Sequence, residues 1–349
     1  MTSGTRPVTG GVDTHGQTHH AAVVDEVGRE LGDAEFPATP AGYRRLLAWL
    51  HGHGDLQRVG VEGTGTYGAA LTRHLHQAGI ELVEVDRPDR STRRRKGKSD
   101  PIDAYAAARA ALGATAAGTP KTRDGLVEAI RSIRVARRGA VKARTQTTNQ
   151  LKALLITAPA HLREQLRALP TTALIDTCAR LRPAAPDLAG CPDPVLAAAK
   201  TALRRLARRH QQLSAEIAEH DTDLAALTQA AAPRLLALLG VGPEVAGQLL
   251  STAGDNPQRL HSEAAFAHLC GVAPVPASSG RTDRHRLNRG GDRAANNALY
   301  TIVLCRLKHD PATRAYAERR TKQGLSKPEI IRCLKRYVAR EVFRELQTT

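Results

Sequence analysis

From residue 8 to residue 86 the apolar positions change rhythm several times. Short runs of small and β-branched residues at 11–14, 21–25 and 30–36, broken by turns containing His and Gly, predict three successive strands. The spacing turns helical over 41–50, strand-like over 58–63, helical again over 67–77 until Gly79 stops it, and strand-like over 80–85. An Ala-rich helix is expected from Asp100 onward, after a polar and strongly basic stretch that reads as a mobile loop. Two long helical segments follow, from Lys121 to about Arg167 and from Pro194 to about Ala231. Pro170 and the Pro-rich stretch 183–194 separate them, and apolar residues such as Leu203, Leu206, Leu213, Ile217 and Leu224 keep the period in the second. Residues 235–246 read as helix, Gly-Val-Gly turn and helix. A helix over 262–270, a basic glycine-rich loop over 277–291 and two helices, 292–308 and 327–345, complete the pattern.

The N-terminal order, strand-strand-strand-helix-strand-helix-strand-helix, is that of a ribonuclease-H-like α/β fold. The long middle segments predict an antiparallel helical arm, a candidate coiled coil for dimerisation. The turn at Gly240 and Gly242 has the pattern of a helix-hairpin-helix, whose glycines let backbone approach a phosphate held by helix amides. Three consecutive segments result: an α/β domain over 8–120, a helical arm over 121–231 and a mostly α-helical C-terminal domain over 232–349.

Charge changes the picture from fold to partner. The 349-residue chain has a formal net charge of +17, with basic blocks at Arg93-Arg94-Arg95-Lys96, at Arg204, Arg205, Arg208 and Arg209, and between Arg281 and Arg293. Blocks of this kind bind polyanions by releasing condensed counterions, which points to nucleic acid. No segment is apolar enough to span a bilayer, and the first residues lack the core of a signal peptide. The five cysteines have no zinc-site spacing and read as free thiols of a cytoplasmic protein, nucleoid-associated when bound to DNA.

Four acids stand out against the basic background. Asp13 sits in Gly11-Val12-Asp13-Thr14-His15, Glu62 ends Val59-Gly60-Val61-Glu62, and Asp100 and Asp103 open a helix as Lys98-Ser99-Asp100-Pro101-Ile102-Asp103. Asp at the cap, Pro at the first helical position and Asp at the third also make an ordinary helix start. Residues three apart share one helix face, however, and with two acids at strand ends the group reads as an oxygen-ligand site for one or two Mg²⁺ ions. Ser278 and Ser279 open an Arg-dense loop; serines beside glycine are commonly a flexible linker, but a serine hydroxyl among guanidinium groups could also attack phosphorus, with Arg neutralising the charge. His15, His19, His20 and His285 show no ligand spacing and read as surface or strand residues. Neither a P-loop nor a dinucleotide fingerprint occurs.

Taken in order, these pieces resemble the DEDD transposases of the insertion-sequence 110/1111 family. The matching stretches are Gly11-Val12-Asp13-Thr14-His15, Val61-Glu62-Gly63-Thr64-Gly65, Lys98 to Ala104, Leu239-Gly240-Val241-Gly242-Pro243, Leu269 to Pro274, and Ser278-Ser279-Gly280 followed by Leu287 to Asp292. The resemblance implies a RuvC-like domain carrying the tetrad Asp13, Glu62, Asp100 and Asp103, a coiled-coil insert, and a C-terminal transposase domain with a nucleophilic serine. By motif position that serine is Ser279, with Ser278 off by one. It further implies recombination of donor and target DNA guided by a structured non-coding bridge RNA, through a transient phosphoserine with Mg²⁺ at the acids. A dimer assembling to a tetramer would suit two DNA partners. Asn288 and Arg289 stand where members commonly carry serine and lysine. Nucleic-acid contacts are expected from Arg93, Arg94, Arg95, Lys96, Lys98, Gly240, Gly242, Arg281, Arg284, Arg286, Arg289 and Arg293. Two other readings of the same residues stay open: a Holliday-junction-resolvase-like nuclease that activates water without serine chemistry, and a non-catalytic nucleic-acid-binding protein.

Overall fold

The computed structural model of the chain describes residues 6–85, 99–113, 118–182 and 192–348. The basic stretch with Arg93, Arg94, Arg95, Lys96 and Lys98 lies outside the described residues, as does Cys191. Cys178, Cys270, Cys305 and Cys333 are free thiols. Two compact units interleave along the chain. One comprises Met1–Glu128, Leu250–Asn296 and Ser326–Thr349, the other Ala129–Leu249 and Asn297–Leu325.

The first unit is built on a five-stranded mixed sheet. Strands β1 (Pro7–Thr14), β2 (Thr18–Asp25), β3 (Glu30–Pro37), β4 (Asp55–Glu62) and β5 (Glu81–Val85) lie in the order β3-β2-β1-β4-β5. The β1–β2 and β2–β3 pairs are antiparallel, and β1–β4 and β4–β5 are parallel, the pairing that a ribonuclease-H-like order requires. Helices α1 (Pro40–His51) and α2 (Ala69–Gln77) cover one face, where Leu46, Leu50, Leu71 and Leu75 pack on Val8, Val12, Val23 and Val61. Helix α3 (Asp100–Leu112) covers the other face, with Ala104, Tyr105 and Ala108 against Ala22 and Val24.

Two glycines set how closely α3 approaches. Side chains alternate across a strand, so Gly11 and Gly60, paired in the β1–β4 register, both face α3. A Cβ on Gly11 would lie 2.2 Å from the Ala104 oxygen and from the Ala108 nitrogen, and one on Gly60 would lie 2.4 Å from the Ala107 oxygen. Both distances are inside van der Waals contact, so the helix backbone rests directly on the strand backbones. Ala104, Ala107, Ala108 and Ala111 form the matching small stripe on the helix, and all four are buried.

The chain leaves this sheet through residues 119–125, which are non-helical up to the start of α4 (Leu126–Ile156). A helix from Lys121 was expected; side chains from the returning chain hold the segment out of helix instead. Arg259 Nε donates to the Thr119 oxygen at 2.9 Å, Asn256 Nδ2 to the Pro120 oxygen at 3.0 Å and Lys121 Nζ to the Ser251 oxygen at 2.6 Å. The Val127 amide donates to Asp255 Oδ1 at 2.8 Å.

In the second unit α4 runs antiparallel to α7 (Pro194–Ala231), with Arg137 Nε near the start of α4 donating to Asp221 Oδ1 near the end of α7 at 2.5 Å. At 31 and 38 residues the helices are about 46 and 57 Å long at 1.5 Å per residue. Between them α5 (Ala160–Leu166) and α6 (Thr171–Arg180) close a small apolar head of Leu151, Leu155, Leu162, Leu166, Leu174 and Leu203. The segment 235–246 yields only a single helical turn, α8 (Pro233–Leu236), then a bend at Gly240 and α9 (Pro243–Ala253).

Beyond α10 (Glu263–Leu269) the C-terminal region holds three helices where two were expected: α11 (Arg293–His309), α12 (Pro311–Lys322) and α13 (Lys327–Leu346). The extra break comes from Asp310, whose carboxylate caps the Ala312 and Thr313 amides, and from Gly324 in the left-handed region. Helix α13 packs on α10 through Phe266 and Phe343 and through an Arg336–Glu263 ion pair.

The close approach of α3 is directly testable. Gly11→Ala is expected to lower the unfolding free energy by about 1–3 kcal/mol through overpacking. Gly139→Ala, mid-helix in α4 with open space around its Cβ, should be neutral or slightly stabilising. Urea denaturation of both variants checks this, and equal midpoints would contradict the packing described.

Candidate active site

The acids of the two strands follow the glycines on which α3 rests. Gly11-Val12-Asp13 and Gly60-Val61-Glu62 run side by side in register, so Asp13 and Glu62 point to the α3 face two residues beyond each glycine. The helix starts over that same edge. Its N-cap is Ser99, with extended backbone, and Asp100 and Asp103 both lie within its first turn. Asp100 is therefore not the cap of an ordinary helix start, and neither acid is needed to begin the helix. Asp103 is 2% exposed and Asp13 7%, unusual burial for carboxylates.

The structure brings Asp13 and Asp100 together and adds a residue that the sequence reading had left aside. His15, in the β1–β2 turn, stands between them: Nδ1 is 3.8 Å from Asp13 Oδ2 and Nε2 is 3.9 Å from Asp100 Oδ1. One donor atom from each of the three residues falls within a 4.8 Å cluster. Burial raises the Asp13 carboxyl above its ordinary value; His15 and the Thr14 amide oppose this, and Asp103 and Asp100 add to it. Glu62 joins Asp13 in a cleft of about 350 Å³ whose lining includes Thr64, Thr66 and a further acid, Glu84. Thr14 Oγ1 donates to the Glu62 oxygen at 2.8 Å, tying the two strand ends. Thr64 donates its hydroxyl proton to Glu84, whose other oxygen is 3.7 Å from Arg259. Of the two missed residues, His15 carried a signal, the alternate-position spacing Asp13-x-His15. Glu84 carried none, since an acid on an edge strand is ordinary.

The donor set suits a divalent cation. Clustered carboxylates repel one another and are costly to bury, and a bound cation relieves both terms. Of the four acids, Asp13 and Asp100 place donor atoms within reach of one ion, with oxygen donors of the type that hard cations take.

The predicted serine lies at the tip of an exposed β-hairpin. Strands β6 (Val275–Pro276) and β7 (His285–Arg286) pair antiparallel, and the Ala277 amide donates to the Arg284 oxygen at 2.8 Å. Ser279 and Thr282 exchange two backbone bonds of 3.1 Å around Gly280, whose φ of +56° turns the chain. The two serines differ in what their hydroxyls do. Ser278 Oγ donates to Asp283 Oδ1 at 2.9 Å and accepts from the Arg284 amide at 3.1 Å, bracing the hairpin. Ser279 is exposed, and among the described residues none hydrogen-bonds its hydroxyl. Arg281, Arg284 and Arg286 are exposed on the hairpin, and Arg289 and Arg293 are exposed beyond its second strand. The hairpin base is clamped by Asn288 Nδ2 to the His268 oxygen at 2.8 Å and by the Asp292 amide to the Leu269 oxygen at 2.7 Å.

The two turn glycines part company. Gly240, at φ +89°, lies against α11, where a Cβ would meet Cys305 Cβ and the Ile302 oxygen at 3.2 Å, while Gly242 has nothing within 4 Å. Glu244 in the first turn of α9 pairs with Arg134 at 2.7 Å.

Known proteins match over two stretches of the chain. Residues 10–158 fit the DEDD transposase model named for IS110, and residues 232–318 fit the model of the IS116/IS110/IS902 transposase family. The first span holds Asp13, Glu62, Asp100 and Asp103, and the second holds Ser279. A candidate transposase of Sinorhizobium fredii, y4rJ, is 31% identical over 76% of this chain and 70% of its own length. The chain belongs to the IS110 family of insertion-sequence transposases. A candidate mini-circle transposase for IS117 of Streptomyces coelicolor is 25% identical over 90% of the chain and 87% of its own length. The 43.6 kDa protein of insertion element IS110 from the same species is 35% identical over 26% of the chain and 23% of its own length. The transposase thus acts on DNA, and among its described residues no helix is long and apolar enough to cross a membrane.

The raised Asp13 carboxyl has a consequence for stability. A folded-state pKa above the ordinary 3.8 means that the folded protein binds the proton more tightly than the unfolded chain. The cost of the charge is fully present above the raised value and vanishes as pH falls below the ordinary one. In chelator at pH 7, Asp13→Asn is therefore expected to melt at a higher temperature than wild type, with the gain disappearing toward pH 4. A variant that melts lower at pH 7 in scanning fluorimetry would sink this account.

Proposed function

We propose that this transposase recombines DNA through a transient phosphoserine at Ser279, assisted by Mg²⁺ at Asp13, Glu62, Asp100 and Asp103. The observation that carries the reading is the contrast at the hairpin tip: Ser278 is occupied in bracing, and Ser279 offers an open hydroxyl on a hairpin with three exposed arginines. Ser279 Oγ forms an ester to the scissile phosphorus, the bond to one deoxyribose oxygen breaks, and that oxygen takes up a proton. A strand hydroxyl attacking the phosphoserine reverses the step, giving the joined strand and free serine. Arg281, Arg284 and Arg286 neutralise the phosphorane charge. Mg²⁺ at the acids would supply Lewis-acid polarisation of a phosphate oxygen. The buried Asp13 and Asp103 keep the site fixed in place, and Thr14 holds the two strand ends together.

A structured bridge RNA that pairs with donor and target DNA supplies sequence choice, as in other guided systems. Arg93, Arg94, Arg95, Lys96 and Lys98, with Arg289, Arg293 and the Gly240–Gly242 turn, are assigned to nucleic-acid backbones. In this reading 8–120 is the RuvC-like domain, 121–231 a coiled-coil arm that joins two copies, and 232–349 the serine domain, with dimers pairing into a tetramer around four strands.

The test is a denaturing gel of purified protein with Mg²⁺, RNA from the element's flank and labelled donor and target DNA. Wild type should give a protease-sensitive labelled adduct, and Ser279→Ala none. Ser278→Ala should keep the adduct within about tenfold, since one lost hydrogen bond is worth about 1 kcal/mol. Cleaved DNA without an adduct in any lane would favour the resolvase-like nuclease. Unchanged DNA in every lane, with binding retained, would favour a non-catalytic protein. In the same system each of Arg281→Gln, Arg284→Gln and Arg286→Gln should reduce the salt slope of DNA binding by about 1, read by fluorescence anisotropy.

A further inference from the structure

We infer that His15 is a nitrogen ligand of the acid cleft, so that Asp13, His15 and Asp100 form a mixed imidazole–carboxylate site that selects Mn²⁺ over Mg²⁺. The inference rests on the reading of the cleft as a metal site and deepens it, by naming a ligand outside the four acids and the cation it brings.

The position of the ring carries the argument. His15 is held in a tight turn in which its amide donates to the Thr18 oxygen at 3.0 Å. Its imidazole stands between carboxylates from two different elements, the end of β1 and the start of α3. Hydrogen bonds from the ring would be about 2.7–3.2 Å long, and the observed separations of 3.8 and 3.9 Å are too long for either. The two distances run to different ring nitrogens, and an ion would take only one of them. Ligands bound at about 2.1–2.2 Å lie about 3 Å apart when adjacent and about 4.4 Å when opposite; one donor atom from each of the three residues falls within 4.8 Å of the others, so a shift of a few tenths of an ångström brings the set onto one ion. The ring is 43% exposed, so a ring lone pair is accessible to an entering ion.

Ligand chemistry then decides the ion. Mg²⁺ demands oxygen donors at near-ideal octahedral geometry and gains little from imidazole. First-row transition ions accept nitrogen and oxygen together, and Mn²⁺ keeps the preference for carboxylate that two aspartates require. Mn²⁺ also serves the phosphoryl chemistry assigned to the cleft.

The experiment uses the metal-free full-length protein titrated with Mn²⁺, read by continuous-wave EPR for affinity and by pulsed EPR for nitrogen-14 coupling. His15→Ala and His15→Asn are compared with wild type and with Asp13→Asn, and Mg²⁺ is used as competitor. Circular dichroism confirms that each variant is folded, and His15→Asn keeps a polar side chain in the turn. Wild type should bind Mn²⁺ at least about tenfold more tightly than Mg²⁺ and show imidazole coupling. Both His15 variants should lose that coupling and at least about tenfold in Mn²⁺ affinity, a loss no smaller than outer-sphere changes produce, with Mg²⁺ affinity less affected. Mn²⁺ bound to wild type with no nitrogen coupling, or with coupling unchanged in the His15 variants, overturns the ligand role and leaves the acid cleft standing. Mn²⁺ binding that is absent from wild type, or untouched by Asp13→Asn, removes the metal site itself.

Discussion

The acid site depends on two absent side chains. With no Cβ at Gly11 and Gly60, the backbone of α3 lies directly on β1 and β4. Only at that distance does the first turn of α3 reach the strand ends. The acids follow from the spacing: one pleat beyond each glycine stands Asp13 or Glu62, and one turn before the alanine stripe stand Asp100 and Asp103. Any side chain at the contact would lift the helix and carry Asp100 and Asp103 away from Asp13. The placement of the acids is thus set by van der Waals contact rather than by the charged groups themselves, which repel one another.

The same first unit carries a region of opposite character. The acid cleft is recessed, with buried Asp13 and Asp103, and its groups are fixed by strand and helix. The serine hairpin is exposed along both strands, lined with arginine, and anchored only at its base through Asn288 and Asp292. A rigid anionic pocket suits a small hard ion, and a projecting cationic hairpin suits a long polyanion. The two regions differ in burial as much as in charge.

Much of this was legible along the chain. The five strands and α1 to α3 follow from alternation and helical period, and their ends lie within a few residues of the pattern. What escaped has physical reasons. Residues 121–124 carry helix-compatible residues, but the segment 119–121 is held out of helix by Ser251, Asn256 and Arg259, contacts that come from more than a hundred residues away. The break before α12 rests on one capping carboxylate, Asp310, followed by Pro311. Asp100 resembled a cap because Asp-Pro is a common helix start, and only the extended backbone of Ser99 shows the start one residue earlier. His15 sits in a turn, where no period marks its direction, and Glu84 is tied to the cleft by Thr64 through a contact between strands. The strap at 119–121 and the tie to Glu84 are set from elsewhere in the chain, whereas the Ser99 and Asp310 starts are local geometry that composition alone does not place to the residue.

The interleaving of the two units bears on how the protein is made. The sheet and its four acids leave the ribosome first, but their unit also needs 250–296 and 326–349. At typical synthesis rates the ribosome takes on the order of ten seconds to travel from Glu128 to Leu250. Throughout that delay the strap at 119–122 lacks Ser251, Asn256 and Arg259, the partners that hold it out of helix. A chain whose translation stops early therefore carries acids but no serine and no completed fold. The first unit is complete only once residues 326–349 have joined it, so its fold closes after the whole of the second unit has been made.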